Sequence, residues 1–132
     1  MSIYGSAIEN YQYDDRGNVV ERTYYGIDGQ PCLNKDGYAK VTIKYDDRGN
    51  DIEWASFDIN GQPCLYAWGF AKVTFQYDDR GNEIERAFYD IKGQLCTNIE
   101  NYAIYKHEYD VRGNQIGATF YGTKHERIYT TY

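Results

Sequence analysis

Methionine occurs once in this sequence, proline and histidine twice each and cysteine three times, and no apolar run approaches the length of a membrane span. Each shortage excludes something. Without about 20 consecutive apolar residues, no helix of the chain crosses a bilayer. Without a basic segment leading into an apolar stretch near Met1, no secretory signal is expected. An odd number of cysteines, one in each of three related segments, argues against a disulfide framework. A cytoplasmic location is therefore expected, unless the chain is a fragment of a larger exported protein. No segment carries the 3.6-residue apolar period and caps of a helix, so helix content near zero is expected. The net charge is −6, which repels a phosphate backbone and removes nucleic acid from the expected partners. A mean hydropathy of −0.78 leaves little aliphatic material for a thick core.

What the chain has in excess is tyrosine, 16 residues beside 5 Phe and 2 Trp. Such rings tile a thin sheet, packing through the ring and bonding or hydrating through the hydroxyl. The chain also repeats itself. YDDRGN begins at Tyr13, Tyr45 and Tyr77 and returns as YDVRGN at Tyr109, every 32 residues without insertion. Residues 45–76 match residues 13–44 at 18 of 32 positions, and residues 77–108 match 45–76 at 15. The division is one domain, with an N-terminal strand in 1–12, copies at 13–44, 45–76 and 77–108, and a partial copy at 109–132.

Between these strings lie YGIDGQ from Tyr25, FDINGQ from Phe57 and YDIKGQ from Tyr89. In both sets an aromatic residue is followed by a polar turn with glycine at the place where a type I turn closes into a left-handed bulge. The segments between alternate as strands do, with Ala39, Val41, Ile43 and Tyr45 opposite Lys40, Thr42 and Lys44. Val20, Ile52, Ile84 and Ile116 stand five residues before Tyr25, Phe57, Tyr89 and Tyr121. An odd separation requires a β-bulge if both columns are to face one side. The spacing predicts an all-β chain of tandem hairpins forming an open, twisted antiparallel meander. The competing geometry is a closed antiparallel barrel. Ile128–Tyr132 reads as one more strand, and an uncovered edge predicts an edge-to-edge homodimer.

The strings YDDRGN, YDVRGN, FDINGQ and YDIKGQ resemble the Tyr-Asp repeats of Rhs-type proteins. YYGIDGQPCLNKDGY is also similar to the hairpins of choline-binding and glucan-binding cell-wall repeats. The likeness spans residues 11–122, although the period here is longer than in either family and neither carries GQPCL. The Rhs resemblance implies a scaffold or enclosing shell, and the cell-wall resemblance implies carbohydrate or choline binding. Neither implies catalysis.

Cys32, Cys64 and Cys96 occupy equivalent positions and form a column. Members of such a column lie about 10 Å apart along the sheet, too far to share one metal, so they are expected as a small apolar ladder. His107 takes the place of Ile43 and Phe75, and His125 lies near the C-terminus. No catalytic residue, metal ligand or cofactor is expected. The first Asp of each YDDRGN has a sufficient role as the turn cap, and the arginines Arg16, Arg48, Arg80 and Arg112 form a charged rim. The informative positions are those where copies differ. Asn34-Lys35-Asp36 becomes Tyr66-Ala67-Trp68, and Arg22 becomes Trp54 and then Arg86. Trp54, Tyr66, Trp68 and Phe70 are the candidate partner surface, because exposed rings anchor proteins or stack on sugars. The expected function is a non-catalytic protein-interaction or structural scaffold. The alternative is a carbohydrate or cell-wall binding module.

Overall fold

Each Asp-x-x-Gly segment folds the chain back on itself, and the computed structural model, which describes residues 8–65 and 67–131, shows how. In Asp46-Asp47-Arg48-Gly49-Asn50 the Gly49 amide donates to the Asp46 carbonyl at 3.1 Å and the Asp46 amide donates to the Asn50 carbonyl at 2.9 Å. Gly49 sits at φ 85°, a left-handed conformation that side chains with a Cβ resist. Asp46 Oδ1 accepts the amides of Arg48 and Asn50, both at 2.9 Å. This is the expected type I turn with a glycine bulge, and it recurs at Asp14, Asp78 and Asp110.

Among the described residues the turns connect nine strands: β1 (Ile8–Tyr13), β2 (Val19–Tyr25), β3 (Lys40–Tyr45), β4 (Asp51–Phe57), β5 (Lys72–Tyr77), β6 (Glu83–Tyr89), β7 (Ile104–Tyr109), β8 (Gln115–Tyr121) and β9 (Arg127–Thr131). They form one antiparallel sheet in the order β1 to β9. β1 and β9 stand at opposite ends of that order, so the sheet is open and the barrel geometry is excluded. The described residues contain no helix. The bulge expected from the five-residue spacing is present and falls on the apolar column itself. Lys44 pairs with Glu53 and Tyr45 with Asp51, leaving Ile52 without a partner. The same shift falls at Val20, Ile84 and Ile116.

The two faces differ in chemistry. One alternates lysine, glutamate and threonine, with Lys44 3.3 Å from Glu53 and Lys106 3.6 Å from Glu85. There the ammonium groups of Lys40 and Lys72 sit 4.8 and 4.7 Å from the ring centres of Phe57 and Tyr89. The other face carries Tyr24, Val41, Ile43, Trp54, Val73 and Phe88, and Val41 is its most deeply buried side chain. Rings from the long connections pack onto it: Tyr38 on Tyr24 at 5.7 Å, Phe70 on Phe88 at 4.7 Å, and Tyr102 on Phe120 at 4.7 Å. The main core is thus a ring-lined layer between the sheet and its long connections, with a smaller cluster on the lysine-bearing face, where Ala87, Ala103 and Ile104 are buried against Tyr89, Leu95 and Tyr121.

Each long connection contains a further turn that the sequence pattern had not indicated. The Gly37 amide donates to the Asn34 carbonyl, and Asn34 Oδ1 accepts the amides of Asp36 and Tyr38. In the third copy Asn98 repeats the role, with Asn101 at φ 69° where the others have glycine. Successive connections are bonded to each other, the Ala67 amide to the Asp36 carbonyl at 3.1 Å and the Ile99 amide to the Trp68 carbonyl at 2.9 Å. GQPCL contributes no full strand. It makes a single bridge to the preceding strand, Tyr25 to Pro31 and Phe57 to Pro63.

Candidate ring-lined recess

Copies 32 residues apart place Tyr24, Ser56, Phe88 and Phe120 in one column on the ring-lined face. Only the second copy has no ring there. Ser56 is 6% exposed and lies directly across from Val41. Above it the face opens into a recess of ≈ 340 Å³ lined by Tyr38, Val41, Asp51, Trp54, Ser56, Phe70, Val73, Phe75, Arg86 and Phe88. Strands β3 to β6 supply its floor and sides. The connections following β2 and β4 supply Tyr38 and Phe70.

Trp54, in the column otherwise held by Arg22, Arg86 and Ala118, forms one wall. It is half-buried, packs against Tyr24, Tyr38 and Val41, and donates its indole Nε1–H to Asp51 Oδ2 at 2.7 Å. Arg86 forms the opposite polar edge. Its Nε and Nη2 donate to the two carboxylate oxygens of Glu83 at 2.9 and 3.0 Å, and its guanidinium lies 4.9 Å from the Phe75 ring centre. Both polar groups on the rim are therefore held in place before anything arrives, the preorganisation that lowers the cost of binding. His107 is nearly buried 3.4 Å from Glu83, with its ring 4.1 Å from that of Tyr105.

Of the four residues singled out by sequence, Trp54 and Phe70 line this recess. Trp68 does not. It is 46% exposed in the connection between β4 and β5. Tyr66 lies outside the described residues. Sequence reasoning passed over Ser56, Asp51 and Arg86. The signal for Ser56 was available as the one small residue in an aromatic column, visible only when the copies are compared column by column.

The cysteines and tip arginines have structural work to do. The Cys64 thiol lies against the Gly37 carbonyl and the Cys96 thiol against the Gly69 carbonyl, each at 3.9 Å, so each joins its connection to the preceding one. Burial pushes both thiols above the usual range, away from the reactive thiolate. Arg16, Arg48 and Arg80 are more than a solvated rim. Each Nη1 donates to a backbone carbonyl of the next tip, at Asp47, Asp79 and Val111, at 2.5–2.7 Å. Among the described residues no group of three or more His, Cys, Asp or Glu side chains is disposed to hold a metal. No protein-family model matches the chain, and no curated protein is detectably similar to it.

Proposed function

We propose that this chain is a non-catalytic protein-interaction module, a scaffold sheet that docks a partner at the recess over Ser56. The observation that carries this reading is the break in the aromatic column. The second copy loses its ring at Ser56 and gains Trp54 at a position that is otherwise arginine or alanine. The break leaves a concave, ring-walled site with two fixed charges at its rim. Desolvated aromatic pockets with a few oriented polar groups are where interface energy concentrates. The raised thiols of Cys64 and Cys96 and the engagement of Asp14, Asp46, Asp78 and Asp110 in capping bonds favour binding over nucleophilic or acid–base chemistry. The likeness to Rhs-type repeats points the same way, toward a scaffold.

Selection of peptides from a random display library on the immobilised chain tests the reading. Binders are expected whose affinity falls at least tenfold on the Trp54→Arg variant. The carbohydrate reading keeps one observation in its favour, the exposed indole of Trp68. Titration with cell-wall polysaccharides, followed by tryptophan fluorescence, separates the two. Quenching by a glycan, together with failure to select any Trp54-dependent peptide, would replace the first reading by the second.

A further inference from the structure

We propose that the recess over Ser56 is a socket for one aromatic ring, carried on a tyrosine or phenylalanine side chain of the partner. The inference rests on the docking reading above and specifies what enters the site. The molecule itself supplies the template. At the equivalent place in the other copies the ring is Tyr24, Phe88 or Phe120, and each meets a ring from a connection at 4.7–5.7 Å. Those centroid separations are the ones at which edge-to-face and tilted pairs are attractive. The backbone around Ser56 repeats that of its counterparts. The Ser56 amide donates to the Ala71 carbonyl as the Tyr24 amide donates to Ala39, both at 2.9 Å, and as the Phe88 amide donates to Ala103 at 3.0 Å. A frame built to hold a ring is therefore present at Ser56 with a hydroxymethyl group in its place.

Size and polarity narrow the guest. A dry cavity of about 150 Å³ accommodates benzene, so ≈ 340 Å³ admits a ring together with the atoms that join it to a backbone. An α-helix, about 10 Å across with its side chains, is too wide to enter. Val41 and Val73 make the floor apolar, which disfavours a sugar, whose hydroxyls would be stripped of water without partners. At the rim stand an acceptor, Asp51, and a donor, Arg86. A phenol therefore has an advantage over a phenyl ring, because its hydroxyl finds a partner where the ring ends.

The test is an NMR titration of the whole chain with p-cresol, the side-chain analogue of tyrosine, beside toluene and glucose. The two tryptophans serve as site and control. With p-cresol at millimolar concentration, the Trp54 indole N–H and the Val41 and Val73 methyls are expected to shift, and the Trp68 indole is expected to stay. Toluene is expected to act more weakly and glucose not at all. Ser56→Phe restores the ring of the other copies, so it is expected to abolish the p-cresol shifts and to raise the melting temperature by roughly 2–8 °C. If that variant does not fold, Trp54→Arg, with the residue found at Arg22 and Arg86, serves as the second altered site. Unmoved Trp54 and valine signals, or equal shifts in wild type and Ser56→Phe, would overturn the socket. Selected peptides that need Trp54 but contain no Tyr or Phe would overturn it while leaving the docking reading intact. Entry of p-cresol without any peptide binder would overturn the partner-borne ring and mark the recess as a site for a free small aromatic.

Discussion

At the scale of single residues, the tyrosines divide by what their hydroxyls do. Tyr45, Tyr77 and Tyr109 donate to the backbone carbonyls of Val19, Asp51 and Glu83 at 2.5–2.7 Å, each reaching back to the start of the preceding, paired strand. Burial, reinforced by the nearby carboxylates of Asp51 and Glu83, pushes Tyr77 up to about 12. Burial also pushes Tyr38 up to about 12, with the neighbouring Tyr24 adding to the effect. In the unfolded chain these phenols ionise near 10. Their contribution to stability is therefore whole below pH 10 and is lost as the pH rises from about 10 to 12. An alkaline titration followed by absorbance at 295 nm and by circular dichroism is expected to show exposed tyrosines ionising first. A second group should ionise near 12, together with loss of strand signal. If all 16 tyrosines ionised in one step near 10 with the sheet intact, the proposed coupling would be wrong.

At the scale of elements, the hairpin tips are held by one carboxylate each. In Asp14, Asp46 and Asp78 the amide of the Asn four residues on is the main cause that holds the carboxyl below its usual range, and Asn114 does the same for Asp110. A depressed value in the fold means the stabilisation is present above pH 3.8, the unfolded value, and disappears as the pH falls through the folded one. Between pH 5 and pH 2, the amide resonances of Arg48 and Asn50 are expected to move first, ahead of any change in the strand centres. Asp46→Ala should reproduce that local change at neutral pH. Tips that stay fixed to pH 2, or strands that loosen together with them, would contradict this account.

The same elements show what was legible in the sequence. The Asp-x-x-Gly turns and the alternating strands were readable because their determinants lie within a few residues: a cap, a left-handed glycine and a period of two. The turn at Asn34 was hidden because its cap is replaced by Tyr66 in the second copy and its glycine by Asn101 in the third. The reach of Arg48 to the Asp79 carbonyl was not readable either, since it depends on how one hairpin is staggered against the next. At the recess, Trp54 and Phe70 were visible as unusual residues. The vacancy at Ser56 was not, because a missing ring leaves no motif and shows only against the column that should contain it.

At the scale of the molecule, the single-sheet build of the described residues decides how stability is distributed. Strand contacts run solely between neighbours in sequence, from β1·β2 through to β8·β9. In such a one-dimensional arrangement stability is approximately a sum of local units and their nearest-neighbour interfaces. An inner hairpin is supported on both flanks, but β1 and β9 are supported on one. Hydrogen exchange should therefore be slowest in β4, β5 and β6 and faster toward both edges, with opening free energies that fall stepwise instead of sharing one global value. The ring at Ser56 enters the same sum. Ser56→Phe adds contacts within the central unit, so it should deepen protection in β3 to β6 and leave β1 and β9 unchanged. Uniform protection across all nine strands, or an equal response at the edges, would mean that the sheet opens as one unit and that its interfaces are coupled beyond nearest neighbours.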